Sequence, residues 1–121
     1  ENLTENARDT GAYLQQQFHK TFDDHPLVGE VRGVGLMAAL EFVADKKQQL
    51  RFDAAWKVGP KISAACLEQK LIARAMPNGD ILGFAPPLTI SKAEVDDVVQ
   101  RTLTALNNVA DQLTKEYSWN S

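Results

Sequence analysis

The first apolar side chains of the chain recur at multiples of three or four residues: Leu3, Ala7, Leu14, Phe18 and Phe22. This spacing predicts a helix over residues 2–23 with a single apolar stripe. Pro26 ends the pattern, because the residue before a proline avoids helical geometry.

The pattern changes over residues 28–43, where β-branched and apolar residues are interrupted by Gly29, Gly33 and Gly35. Two short strands that meet near Gly33–Gly35 fit this composition best. Residues 45–49 are polar and are predicted to form a connection.

A second helix is predicted over residues 54–70, with Asp53 as the side-chain cap at its start. Pro60 lies inside this span, so the helix is either kinked or begins near Gly59. The apolar face of the helix is expected to contain Val58, Ile62, Ala65, Cys66 and Leu67.

Two further apolar strands are predicted at residues 71–75 and 81–85, on either side of Pro77-Asn78-Gly79-Asp80. Asn-Gly between extended segments is typical of a tight hairpin, because both residues tolerate positive φ.

The last helix has the clearest start. Ser91 and Glu94 have the spacing of a capping box, and Ile90 and Val95 are placed as a hydrophobic staple. One apolar face then continues to about residue 114: Val95, Val98, Val99, Leu103, Leu106, Val109 and Leu113. Residues 115–121 are polar and are expected to fray, with no role for Trp119.

The order α-β-β-α-β-β-α predicts an α+β domain over residues 1–121, a small and mostly antiparallel sheet with helices on one face. The second face of the sheet is either solvated or covered by something outside this chain. The strands carry several apolar residues that suggest apolar side chains on both faces: Leu36, Met37, Leu40, Ile72, Ile81 and Phe84. A large exposed apolar patch of this kind favours self-association.

Composition narrows the classes of function. The 121 residues suffice for one domain, and the net charge of −3 with scattered basic residues argues against nucleic-acid binding. No apolar run approaches the ~20 residues of a membrane span. Cys66 is the single cysteine, so we expect a buried structural thiol and a reducing, cytoplasmic setting. The helical pattern begins at residue 1, which is typical of a piece of a longer protein.

The sequence contains no catalytic constellation. His19 and His25 flank a helix end, and together with Asp23 and Asp24 they lack the spacing of metal ligands. The stretch 32–35 resembles part of a phosphate-binding glycine loop, but it lacks the third glycine and the following helix. A turn between strands is the preferred interpretation of these glycines.

Three segments together resemble the class III aminotransferases, the omega-transaminase lineage of fold-type I enzymes that use pyridoxal phosphate (PLP). Residues 31–41 resemble the family's RGxGLMxxxE stretch, and residues 71–75 follow at a family-like distance. Residues 85–95 resemble the APPLxIxxxEID segment that leads into the last helix. The resemblance extends from residue 1 to about residue 113.

The resemblance implies that the chain is the small C-terminal domain of a PLP-dependent parent. The large domain of that parent would hold the PLP lysine, so no residue of this chain is assigned to catalysis, to the cofactor or to a metal. The chain alone would be inactive. The implied partners are the large domain, a second subunit of a homodimer or tetramer, and a small amine and keto acid.

Arg74 is the one substrate-binding residue that the resemblance implies. It matches an arginine that pairs with the carboxylate of the keto acid in pyruvate-using omega-transaminases, and a surface ion pair is the alternative. In the 2-oxoglutarate-type members of the family, an arginine that binds the substrate carboxylate stands at the position of Gly83. The glycine at this position of the chain favours an amine:pyruvate type. Residues with an implied structural role are Arg32, Gly33, Gly35, Glu41, Pro86 and Pro87.

Two alternatives stay open. Another enzyme on the class III scaffold, such as a 2-oxoglutarate-type aminotransferase, decarboxylase, racemase or aminomutase, would share this domain. A stand-alone α+β binding module would instead be expected to carry a polar second sheet face.

Overall fold

The computed structural model describes residues 3–48, 50–70, 74–75, 81–85 and 90–119, with Arg74 and Ala75 as backbone only. Its elements follow the predicted order: α1 (Leu3–Phe22), β1 (Val28–Val34), β2 (Met37–Phe42), α2 (Val58–Glu68), β3 (Arg74–Ala75), β4 (Ile81–Phe84) and α3 (Lys92–Tyr117). The Asn78-Gly79 turn lies outside the described residues. The α+β class is confirmed.

The four strands form one antiparallel sheet in the order β1-β2-β4-β3. Along β2 the residues alternate, with Ala38, Leu40 and Phe42 buried and the intervening residues less so. α1 contacts β1 and β2, α2 contacts β3 and β4, and α3 packs against α1 and α2. The side of the sheet opposite the buried β2 residues, here called the open face, carries Glu30, Arg32, Val34, Met37, Ala39, Glu41, Ile81 and Gly83.

Of the six residues that suggest apolar side chains on both faces of the sheet, Met37 and Ile81 lie on the open face. Leu36, Leu40 and Phe84 are buried in the core on the helical side. Ile72 lies outside the described residues. The exposed apolar residues Val34 and Met37 stand at the end of the β1–β2 hairpin, whereas the charged side chains of the open face, Glu30, Arg32 and Glu41, lie on β1 and β2.

The core lies between the sheet and the apolar stripe of α1. Leu14, Phe18 and Phe22 are fully buried, as the spacing predicts. The ring of Phe18 makes edge-to-face contacts with Phe22 at 5.3 Å and with Phe84 at 5.2 Å, which joins α1 to the sheet.

The β1–β2 turn is held against α1 by contacts that the pattern does not reveal. The side-chain amide of Gln15 donates hydrogen bonds to the carbonyls of Gly35 (2.8 Å) and Met37 (2.9 Å). A Cβ at Gly11 would lie 2.8 Å from the backbone carbon of Gly35, and one at Gly33 would clash with the Met37 oxygen. Gly11 and Gly33 therefore permit a close approach of α1 and the hairpin. This approach explains why Gly11, although glycine weakens a helix, stands in the middle of α1.

The start of α2 follows one of the two predicted alternatives. Asp53 caps a separate 3-10 turn at Ala54–Trp56, through a bond from the Ala55 N–H at 2.9 Å. The chain then turns at Lys57, where φ is +52°, and α2 begins at Val58. Pro60 therefore lies in the first helical turn, where a missing N–H costs no internal bond.

The predicted faces of the later helices are largely confirmed. Val58, Ile62 and Cys66 are buried in α2, but Leu67 is 64% exposed and does not belong to its buried face. The capping box at the start of α3 is present, because Ser91 accepts from the Glu94 N–H while the Glu94 carboxylate accepts from the Ser91 N–H.

The prediction of a fraying tail is wrong. α3 continues to Tyr117, and Trp119 is only 8% exposed. The indole N–H of Trp119 donates to the Ala44 carbonyl at 3.0 Å, and its ring packs on Phe52 at 5.6 Å. The chain turns back at Ser118, where φ is +56°, and this brings the indole over the connection that follows β2.

Within the described part of the chain, no helix has both the length and the apolar character needed to cross a membrane.

Candidate functional site

One transverse row of the open face contains both predicted substrate-specificity positions. In the strand register Arg74 lies opposite Gly83, Gly83 opposite Ala39, and Ala39 opposite Arg32. Directly opposed positions of antiparallel strands share one face of a sheet. We call these four positions the arginine row, with an arginine at each end and small residues between.

Position 83 is therefore the cross-strand neighbour of position 74. The two positions that distinguish the pyruvate-type from the 2-oxoglutarate-type relatives in the resemblance are adjacent across β3 and β4. Gly83 has no side chain, so Arg74 supplies the guanidinium of this pair. The sequence alone places these residues nine positions apart, and their adjacency comes from the sheet.

Arg32, at the opposite end of the arginine row, lies in β1 itself rather than in the turn. Its guanidinium donates to the Glu41 carboxylate at 2.7 Å and lies 3.5 Å from the carboxylate of Glu30. The Arg32 side chain is 48% exposed, so these pairs add little to stability, but two carboxylates neutralise its charge. Arg32 is thus poorly suited to bind a further anion.

The other structural predictions concern the turn and the proline pair. Gly35 has φ of +57°, which favours glycine, and a side chain at Gly33 would meet backbone atoms. These features support structural roles for Gly33 and Gly35, and the two roles stay predictions. Pro86 and Pro87 lie outside the described residues.

The histidines and acidic residues at the end of α1 do not converge. The Nδ1 of His19 lies 3.0 Å from the Asp23 carboxylate on the exposed surface. His25 instead points to α3, with its Nε2 2.9 Å from the Oδ1 of Asn107. In the described part of the chain no three metal-ligating side chains form a cluster.

His25 is held as the neutral imidazole. Its Nδ1 accepts from the Leu27 N–H at 3.2 Å, which requires an unprotonated Nδ1, and its Nε2–H then donates to Asn107. Burial lowers the pKa of His25 below the ordinary 6.5; the Asn107 bond opposes this, and the positive charge of Lys46 adds to it. Lys46 is close because its ammonium donates to the His25 carbonyl at 3.0 Å.

We therefore expect the free energy of unfolding to fall as the pH drops below about 6.5, because the unfolded histidine takes up a proton before the folded one does. Above that pH the contribution of neutral His25 is fully present. Urea unfolding at a series of pH values between 5 and 7.5 measures this slope. His25→Gln should flatten it, and an unchanged slope in His25→Gln contradicts the assignment.

Cys66 is buried, as predicted. Burial raises its pKa to about 11, so the reactive thiolate is scarce at neutral pH.

The comparisons with known proteins agree with one another. The family model described as "Aminotransferase class-III" matches residues 1–106. A diaminobutyrate--2-oxoglutarate transaminase of Halomonas elongata is 61% identical over 116 residues, which are 96% of this chain and 25% of that protein. A putrescine--pyruvate aminotransferase of Pseudomonas aeruginosa is 39% identical over 102 residues, 84% of this chain and 22% of that protein. The chain thus spans about a quarter of the length of these relatives.

Solved structures extend the likeness to the fold. A transaminase from work on directed evolution by ancestral reconstruction superposes with a TM-score of 0.90 at 69% identity, covering 93% of this chain and 24% of that one. A thermostable omega transaminase 4-fold mutant from Pseudomonas jessenii gives a TM-score of 0.84 at 37% identity, covering 92% of this chain and 24% of that one.

Proposed function

Because the chain belongs to the class III aminotransferase family, we propose that it is the C-terminal part of a parent enzyme that transfers an amino group from a primary amine to a keto acid. The names of the relatives support amino transfer, since both are called transaminases or aminotransferases. Their greater length supports a parent of which this chain supplies one part. We further propose that the parent works in the cytoplasm.

We propose that Arg74 binds the carboxylate of the keto acid. A guanidinium offers two parallel N–H donors to a carboxylate, which a lysine cannot reproduce. The position of Arg74 in the resemblance and its place in the arginine row support this role.

The cross-strand pair of Arg74 and Gly83 is the observation that favours pyruvate as the acceptor. Pyruvate has one carboxylate, which one guanidinium can bind. 2-Oxoglutarate has a second carboxylate, and Gly83 offers no side chain for it. The next arginine in the row, Arg32, already faces Glu41 and Glu30.

A second candidate acceptor is 2-oxoglutarate, which appears in the name of the 61% identical relative. In that case the cation for the second carboxylate would come from the rest of the parent. A decarboxylase, racemase or aminomutase on the same scaffold would also use a carboxylate-bearing substrate, but the relatives' names favour amino transfer. The family match disfavours a stand-alone binding module.

The lysines of this chain argue against a PLP site formed by this chain alone. Every lysine in the chain falls within the described residues, and each is exposed or half-buried. Those with partners are engaged elsewhere: Lys46 donates to backbone carbonyls, and Lys61 pairs with Glu116 at 3.3 Å. We therefore assign PLP to the remainder of the parent, with the chain contributing substrate binding rather than the covalent chemistry.

The open face is the surface that we propose for contact with the large domain of the same parent. It carries the arginine row, and its hairpin end presents Val34, 76% exposed, and Met37, 63% exposed. Burial of such side chains supplies association energy at about 25 cal/mol per Å² of apolar surface. A homodimeric or tetrameric parent is part of the same proposal.

The acceptor proposal is tested by assaying the full-length parent with one amine donor and either pyruvate or 2-oxoglutarate. We expect kcat/KM for pyruvate to exceed that for 2-oxoglutarate by at least about tenfold, the order of one charge-assisted hydrogen bond. In Gly83→Arg the ratio should shift toward 2-oxoglutarate. A parent that prefers 2-oxoglutarate without that change supports the second candidate, and transfer to neither acid rejects amino transfer.

A further inference from the structure

The turn of the β1–β2 hairpin presents two large apolar side chains next to each other. Val34 and Met37 are 76% and 63% exposed, and they are the last pair of the β1–β2 register. The Cβ atoms of directly opposed residues in antiparallel strands lie about 5 Å apart, so the two side chains form one continuous apolar surface. We call these two residues the hairpin tip. Contiguous apolar surface that is exposed on a domain is typical of a contact site.

α1 holds the backbone of the hairpin tip through a single side chain. The amide of Gln15 donates to the carbonyls of both Gly35, at 2.8 Å, and Met37, at 2.9 Å. Gly33 leaves room for this amide, because a Cβ there would lie 2.6 Å from the Gln15 Oε1. A turn that is bound at two carbonyls keeps its exposed side chains in one place before a partner binds. This lowers the entropy that docking must remove.

The small size of the hairpin tip favours a partner in the same chain over a second copy. Two side chains of this kind expose on the order of 200 Å² of apolar surface. A stable complex between separate molecules buries about 800 Å² on each partner. Parts of one chain need less area, because their link holds them at an effective concentration in the millimolar range. The chain spans about a quarter of the length of its relatives, so most of a parent of that length lies outside it.

We propose that the hairpin tip docks into an apolar pocket on the large domain of the same parent, and that Gln15 is the positioning residue that orders the tip for docking. This inference rests on the proposed function, because it names the part of the open face that makes the contact with the large domain. Gln15 does not touch the large domain in this role. Its effect passes through the carbonyls of Gly35 and Met37.

The docking is tested by the rate at which hydrogen peroxide oxidises Met37 in the native full-length parent. Peroxide transfers one oxygen atom to the thioether and is reduced to water, and the rate follows the exposure of the sulfur. We expect oxidation at least about tenfold slower than in the urea-unfolded parent, the ratio for a tip that is docked about nine-tenths of the time. Peptide mass spectrometry measures the sulfoxide at residue 37. A smaller ratio leaves the tip exposed and overturns the inference.

The role of Gln15 is tested in a Leu67→Met background, which supplies a matched reference because Leu67 on α2 is 64% exposed. Gln15→Glu keeps the size of the side chain and removes its donor, so oxidation at residue 37 should become about three- to tenfold faster. The rate at residue 67 should stay unchanged, because the lost bonds are local to the turn. Gln16→Glu is the control, since it makes the same change at the neighbouring exposed position and should alter neither rate.

Two results overturn the positioning role. One is a faster rate at both residue 37 and residue 67 in Gln15→Glu, which shows a general loosening of the domain. The other is the same rate at residue 37 in Gln15→Glu and Gln16→Glu. If Gln15→Glu does not fold, Gln15→Leu with the same two sites decides.

Cross-linking identifies the partner of the hairpin tip. Met37→Cys that carries a photoactivated cross-linker should give a product of monomer mass, in which residue 37 is joined to a peptide of the large domain. A product of dimer mass places a second copy at the tip and overturns the inference.

Failure of the inference is distinguishable from failure of the proposed function. A parent that transfers amino groups to pyruvate or 2-oxoglutarate but leaves Met37 exposed rejects the docking alone. A parent with a protected Met37 that transfers amino groups to neither acid rejects the proposed activity and supports the docking.

Discussion

Replacing Arg74 by alanine in the full-length parent is expected to lower kcat/KM for pyruvate by about 30- to 150-fold. The change removes the residue that we propose as the charged, bidentate partner of the keto-acid carboxylate, an interaction that contributes about 2–3 kcal/mol. Steady-state kinetics with pyruvate and with a small aldehyde as acceptors measure the effect. The aldehyde reaction should change by less than about threefold, because no carboxylate is present to lose its partner.

Arg74→Lys is the informative control for this prediction. It keeps the positive charge and loses the two parallel donors, so it should fall between the parent and Arg74→Ala with pyruvate. Equal losses with pyruvate and aldehyde in Arg74→Ala would contradict carboxylate binding and indicate a general disturbance of β3.

Replacing Trp119 by alanine is expected to lower the free energy of unfolding of this chain by about 3 kcal/mol. The indole is 8% exposed, contacts Phe52 and donates to the Ala44 carbonyl, so its removal creates a cavity and leaves that carbonyl without its donor. Urea unfolding followed by far-UV circular dichroism measures the loss without depending on tryptophan emission. The transition midpoint should fall, with an unchanged slope.

Two variants separate the parts of that effect. Trp119→Phe keeps an aromatic ring and loses the N–H, so it should cost about 1 kcal/mol. Thr114→Val removes the hydroxyl that donates to the Trp119 carbonyl at 2.8 Å and tests whether the turn itself needs that bond. If Trp119→Ala unfolds within about 0.5 kcal/mol of the parent chain, the tail frays as the sequence pattern predicts.

The outcome at Trp119 shows where pattern reasoning fails. Residues 115–121 are polar apart from their aromatics, and the sequence pattern around Trp119 marks no packing partner for its indole. Its partners are Phe52 and Ala44, which belong to the connection after β2. A polar terminal stretch predicts fraying only when no distant part of the chain covers it.

The candidate site likewise combines features that the sequence predicts with features that only the fold reveals. The family resemblance, which rests on local motifs, implies that Arg74 binds a carboxylate. It also implies that position 83, an arginine in the 2-oxoglutarate-type members, is a glycine in this chain. The adjacency of the two positions, and the pairing of Arg32 with Glu41, come from the register of β1, β2, β4 and β3. The sequence does not predict the contacts of Gln15 and Arg101, because each side chain donates to a backbone carbonyl outside its own helix.

The sequence by itself determined the order of the elements, the start of α2 to within its two alternatives, the capping box of α3 and the family. These features depend on residues a few positions apart, so spacing and side-chain chemistry suffice to predict them. Only the tertiary structure decided which residues lie on each face of the sheet, what covers Trp119, how His25 is held neutral, and that Arg74 stands across from Gly83. Those contacts join residues from separate elements, and the distance between them is set by the packing of the whole domain.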